Sequence, residues 1–73
     1  MKKKINMNRY LVSKKGKLGL IDHRNKNITD FEYDEFKGIL KDKFLVLKKN
    51  NYWGVIDLNG DVIVDFEYEG LDL

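Results

Sequence analysis

Apolar residues in this chain recur at every second position over short runs and nowhere at helical spacing for three turns, which predicts strands throughout. Arg9-Tyr10-Leu11-Val12-Ser13 is answered later by Phe44-Leu45-Val46-Leu47. Leu18-Gly19-Leu20-Ile21-Asp22 returns as Trp53-Gly54-Val55-Ile56-Asp57, and Asn27-Ile28-Thr29 as Val62-Ile63-Val64. Each third run leads into Asp-Phe-Glu-Tyr, at residues 30–33 and 65–68. The chain is therefore two copies of one unit of about 35 residues. Between them Glu35-Phe36-Lys37-Gly38-Ile39-Leu40 reads as a short further strand, turned into Phe44 by Lys41-Asp42-Lys43. The second copy offers only Gly70-Leu71-Asp72-Leu73 at that place, which leaves an incompletely covered sheet edge.

Comparison of the copies assigns faces. Ser13 stands opposite Leu47, a tolerant position, so Leu11 and Leu45 are expected on the looser face and Tyr10, Val12, Phe44 and Val46 inward. Trp53 shares its slot with Leu18, so the position asks for apolar bulk, and the indole is expected in the core. Its removal would then cost about 3–5 kcal/mol. Ile28 and Ile63 are expected to point inward, with a bulge at Asp30 and Asp65 bringing Phe31/Tyr33 and Phe66/Tyr68 to the same face. Glycine at the same strand position in both copies (Gly19, Gly54) implies a bulge or a neighbour lying over bare backbone.

Turn chemistry follows the same repeat. Lys14-Lys15-Gly16-Lys17 and Lys48-Lys49-Asn50-Asn51 read as hairpin loops, the second longer by one residue, because Gly and Asn accept positive φ. Asp22 and Asp57 open β-turns whose αL positions fall on Asn25 and Gly60. The expected fold is all-β: an antiparallel meander of two repeats, as a strongly twisted sheet or half-closed small barrel. Residues 1–8 are expected as a basic N-terminal tail and 9–73 as a single β domain, with repeats 9–43 and 44–73.

Composition narrows the function classes. A chain of 73 residues buries only about 60% of the surface exposed when unfolded, so its margin of stability is thin. It has no cysteine, hence no disulfide or thiolate site, which fits a reducing compartment. The basic start is not followed by an apolar stretch of signal-peptide type, and no run reaches membrane-spanning length, so a cytoplasmic location without membrane contact is expected. The net charge of +2 hides an alternation: residues 1–26 carry +8, 27–36 carry −4, 37–49 carry +4 and 50–73 carry −6. This polarity can steer a partner or draw the blocks together. Lys, Asn and Ile supply 25 of 73 residues, so coding bias is a competing source of the lysines.

These residues resemble the WG β-repeat family: an apolar strand, a Lys-rich turn, Trp-Gly, two apolar residues, Asp, a glycine turn, a β-branched strand and Tyr-Asp. Lys48 to Asp57 and Gly60 to Val64 follow the pattern closely, and Lys14 to Asp22 with Tyr33-Asp34 follow it with Leu18 in the tryptophan position. Proline, frequent before the tyrosine in that family, is absent, and Asp30 and Asp65 fall about there. The resemblance implies a β-rich repeat module of interaction-scaffold type with no assigned activity.

Candidate chemistry is sparse. Asp22 and Asp57 read as turn-capping carboxylates, and 57–61 lacks the ligand order of a calcium loop. His23 is the only histidine and stands in a turn, opposite Leu58 in the other copy. Ser13 and Thr29 have no base nearby in sequence. No catalytic residue, metal site or cofactor is assigned. The expected function is a non-enzymatic protein-protein interaction module, with an adaptor or small inhibitor as specific forms, binding through a sheet edge and basic loops. The partner-binding candidates are Tyr10, Lys14, Lys15, Lys17, Lys48, Lys49 and Tyr52. Self-association of the basic start with the acidic end is a related expectation. The alternative is weak, sequence-tolerant nucleic-acid binding by Lys-rich turns beside tyrosines, against which stand the scarcity of arginine and the acidic blocks.

Overall fold

Period-two runs punctuated by Gly-, Asn- and Asp-bearing turns fold as strands because each run has an apolar face to bury and each turn can reverse the chain. The computed structural model describes residues 2–70. Its strands are β1 (Lys2–Asn6), β2 (Arg9–Lys14), β3 (Lys17–Ile21), β4 (Glu35–Leu40), β5 (Phe44–Lys49), β6 (Tyr52–Asp57) and β7 (Val62–Tyr68). All neighbours pair antiparallel, in two sheets ordered β1-β2-β3 and β4-β5-β6-β7. The expected all-β meander is thus present, split into two facing sheets without a closed barrel among the described residues. The molecule is 18 Å across its thinnest direction, the depth of two stacked sheets.

The N-terminal residues form a strand rather than a tail. β1 pairs with β2 from Lys2↔Val12 to Asn6↔Arg9, and Ile5 packs against the core. β4 likewise pairs with β5 and opens the second sheet. By sheet, the chain divides into 2–21 with the bridged segment to Tyr33, and 35–68. The expected C-terminal stub at 70–73 lies outside the described residues apart from Gly70.

The two hairpins are in constant register. Tyr10↔Ile21 and Ser13↔Leu18 in one sheet match Leu45↔Ile56 and Lys48↔Trp53 in the other. The offset is therefore 35 on both strands, and both loops have two residues, Lys15-Gly16 and Asn50-Asn51. All four have positive φ, between 53° and 82°, as type I′ turns require.

This register reverses part of the expected face assignment. The core holds Leu11, Leu18, Leu20 and Tyr33 from the first sheet and Leu45, Leu47 and Ile56 from the second, with Ile28, Phe36 and Phe66 packed against it. Leu11 and Leu45 are wholly buried there, while Tyr10, Val12 and Phe44 are half-exposed on the outward faces. Val46 is buried, but it pairs with Val55 on the outward side. Leu11 and Leu45 do share a face, but it is the buried one, because tolerance at Ser13 and Leu47 does not mark an outer surface. The true equivalents are Leu11 with Val46 and Tyr10 with Leu45, so the two repeats present opposite faces to their shared core.

Trp53 and Ile63 are corrected for the same reason. Leu18 is buried in the core, whereas Trp53 lies half-exposed on the outward face, with Lys37 Nζ and Lys48 Nζ at 5.7 and 5.6 Å from its ring centre. Ile28 packs against the core, but Ile63 is 51% exposed.

The paired glycines carry the expected overlying neighbour. A Cβ built on Gly19 would lie 2.8 Å from the Phe31 ring, and one on Gly54 would lie 2.7 Å from both the Phe66 ring and the Val64 carbonyl oxygen. Reaching over the glycine requires extra backbone. Trp53↔Tyr68 and Val55↔Val64 set three residues of β6 against five of β7, a bulge around Asp65. In the first copy the detour is longer, and the expected strand at 27–29 shrinks to the isolated bridges Ile21↔Asn27 and Leu18↔Tyr33. There the Thr29 hydroxyl accepts the Leu20 N–H at 3.0 Å, taking a bond the ladder would otherwise make.

Gly54→Ala is expected to destabilise the fold by about 1–3 kcal/mol, whereas Gly38→Ala, with nothing within 4 Å of the new methyl, should be near neutral; urea denaturation of both measures the contrast. The corrected faces separate two further substitutions. Leu47→Ala is expected to cost ~2–5 kcal/mol and leave little folded protein, while Trp53→Ala should lose ~1–2 kcal/mol and still melt cooperatively.

Candidate interaction surfaces

Two hairpin tips and the crossover between the sheets form one end of the molecule. The turn after β2 carries Lys14, Lys15 and Lys17, and the turn after β5 carries Lys48, Lys49 and Tyr52. The crossover residue Asp34 ties them together. Its N–H donates to the Lys48 carbonyl at 2.7 Å, its Oδ1 accepts from Lys17 Nζ, and its Oδ2 accepts the Asn50 N–H at 3.2 Å. Six of the seven candidate residues therefore gather at this end. Tyr10 does not, because it pairs with Ile21 at the far end of β2, under Lys2 at 4.9 Å.

The same geometry neutralises much of the basic surface. Lys48 pairs with Glu35 at 3.3 Å and Lys49 with Glu32 at 3.0 Å, alongside the Lys17–Asp34 pair. Lys49 Nζ also stands over the rings of Tyr33 and Phe66 at 5.9 and 5.1 Å, and Lys14 Nζ over Phe31 at 5.7 Å. The acidic block at 30–35 is thus an internal counter-charge for the turns, with Lys15 and Tyr52 left exposed at the tips. The hydrogen bond from Lys17 holds the Asp34 carboxyl below its ordinary range, against an opposing effect of desolvation.

Asp22 and Asp57 are turn caps of identical design. Asp22 Oδ1 accepts the N–H groups of Arg24 and Lys26 at 2.8 and 2.9 Å, and Asp57 Oδ1 those of Asn59 and Asp61, both at 2.9 Å. Asn25 and Gly60 occupy the positive-φ positions of these turns. The Lys26 backbone bond, foremost, lowers the Asp22 carboxyl from its ordinary value. His23 is exposed, and its Nδ1 and N–H both contact Asn8 Oδ1, linking two turns of the first sheet. Among the described residues no three His, Cys, Asp or Glu side chains lie together as metal ligands would.

A cleft of about 360 Å³ opens between the irregular segment 27–33 and the turn before β7, with Ile28, Asp30, Glu32, Tyr33, Lys49 and Val62 among its walls. Its aliphatic hydroxyl, on Thr29, accepts from the Leu20 N–H and donates to the Asp30 carbonyl at 2.9 Å, so it is committed to backbone. Burial, with the carboxylates of Glu32 and Asp30, pushes the Tyr33 phenol up. These groups suit packing and hydrogen bonding rather than nucleophilic attack.

The sheet edge expected from the short second copy falls at β7. It is the last strand of its sheet, with Val62, Ile63 and Tyr68 at 49, 51 and 44% exposure. Asp61, Asp65, Glu67 and Glu69 stand along it, and no helix of the described residues is long and apolar enough to cross a membrane. The signal lay in residues 50–73, which contain no Lys or Arg.

A family model described as "WG containing repeat" matches residues 19–53 and 53–72, well over half of the 73-residue chain. No curated protein and no solved structure matches significantly.

The Asp34 tie makes a pH prediction. A carboxyl lowered in the folded state contributes stability that is fully present above its unfolded value of about 3.9 and is lost as pH falls through the folded value. The melting temperature should therefore hold through neutral pH and fall below about pH 5. Asp34→Asn should lower the plateau and shrink that acid fall; thermal melts between neutral and acid pH would show whether the limb stays unchanged, which would mean the tie is idle.

Proposed function

The chain belongs to the WG containing repeat family, and from that premise we propose that it is a non-enzymatic protein-protein interaction module, with β7 as its principal docking edge. The carrying observation is that β7 ends its sheet while exposing Val62, Ile63 and Tyr68. An unpaired edge offers its N–H and C=O groups to an added strand, and side chains at alternate positions select it. The acids along β7 favour a partner segment that combines apolar residues with Lys or Arg. An adaptor or an inhibitor would use such a contact equally well.

The basic loops support the reading less than their composition implies, because three of the five turn lysines are paired to carboxylates. The same pairs weaken the case for nucleic acid, which needs uncommitted cations beside exposed aromatic rings. Asp22 and Asp57 are occupied by backbone N–H groups, which supports a structural role for them.

Affinity capture from lysate, with and without nuclease, distinguishes the surfaces. Val62→Lys, which guards the edge with a cation, is expected to lose a nuclease-resistant partner and to shift stability by only ~0.5 kcal/mol. Lys15→Glu at the basic tip should retain it. Loss with Lys15→Glu and with nuclease, but not with Val62→Lys, would hand the function to the loops and to nucleic acid.

A further inference from the structure

The junction between the two sheets has a definite chemistry, and both halves of it recur at the free faces. At the junction the Tyr33 and Phe66 rings meet with centroids 5.5 Å apart, and Lys49 covers both rings while pairing with Glu32 at 3.0 Å. Ile28 packs beside them. Advanced by the 35-residue repeat, Ile28, Glu32 and Tyr33 become Ile63, Glu67 and Tyr68. All three are exposed, in or beside the outward face that carries Trp53. Moved back by the same interval, Lys49 and Phe66 become Lys14 and Phe31. These lie on the outward side of the first sheet, already assembled with Lys14 Nζ 5.7 Å from the Phe31 ring.

Each end of the molecule thus keeps one half of the internal junction. We propose that a second copy of this chain stacks head to tail on the first, with Glu67 and Tyr68 of one copy meeting Lys14 and Phe31 of the next. The contact continues the established sheet-on-sheet interface; it uses the Glu67 and Tyr68 side chains of β7, whereas the edge pairing proposed above uses the backbone of that strand. It is heterologous, so each added copy presents a fresh face to the next. Lys4, Tyr10 and His23 stand where the internal junction has Ile39, Leu45 and Leu58, so stacking is weaker than the internal contact and depends on concentration.

Sedimentation velocity of the purified chain from about 10 μM to about 1 mM, the range of weak association, tests this. The mass is expected to rise past that of a dimer without a plateau. Tyr68→Lys should hold the chain at monomer mass, and Lys14→Glu should weaken association about fivefold. The double variant Lys14→Glu/Glu67→Lys, which reverses the pair, should regain what Lys14→Glu alone loses. Lys14 and Glu67 are both exposed, and a thermal melt of each variant checks that it folds. A monomer at every concentration, a fixed dimer indifferent to Tyr68→Lys, or a double variant no better than Lys14→Glu would each overturn the proposal. Tyr68 belongs to both surfaces, so Val62→Lys separates the two readings: it should lose the edge partner and leave stacking intact, because Val62 pairs with Ile56 on the core side of its sheet.

Discussion

An aromatic ring lying on bare backbone is the contact on which this fold turns. Phe31 covers Gly19 and Phe66 covers Gly54, at distances that leave no room for a Cβ. The ring reaches its glycine only if the strand that carries it swells out of register, hence the bulge around Asp65 and the dissolved strand at 27–33. A bulge ends regular pairing. In the second unit the bulged strand is β7, paired to β6 on one side and the last of its sheet on the other.

The second organising fact is translation. Two units related by a constant offset present opposite faces to the space between them, so face assignments made on one copy reverse on the other. Charge follows the same geometry. The acidic end of the first unit runs beside the basic turn of the second, where Glu32 and Asp34 meet Lys49 and Asn50. The alternation of basic and acidic blocks is thus read out inside the molecule, between successive units.

Much of this was readable from residues alone. The period, the strands, the capping aspartates with their αL partners, and the need for something above Gly19 and Gly54 all rest on local stereochemistry, which sequence carries directly. The inward residues were not readable in the same way. Leu11 and Leu45 could be grouped on one face from residues alone, but the Ser13/Leu47 variation does not say which face another sheet will cover. β1 was missed because Lys2, Lys3 and Lys4 read as solvated charge; with Lys3 over Phe36 at 6.0 Å and Ile5 in the core, this strand uses lysine stems as cover. Among the candidate site residues, position along the hairpins placed six of seven together, but their neutralisation depended on the path of the crossover.

The Trp-Gly signature itself illustrates why a motif does not determine an environment. Its first residue points to the same side of every unit, so it is buried only where another unit covers that side. Leu18, covered by the second sheet, is a small aliphatic residue in a dry core. Trp53, on the outward side, has no second sheet over it among the described residues, and an indole suits that place better than leucine would. Its ring shares a face with Val46 and Val55 and accepts the cationic ends of Lys37 and Lys48. Tryptophan at such a position tolerates water and burial alike, so one sequence pattern can serve both inside a stack and at its end.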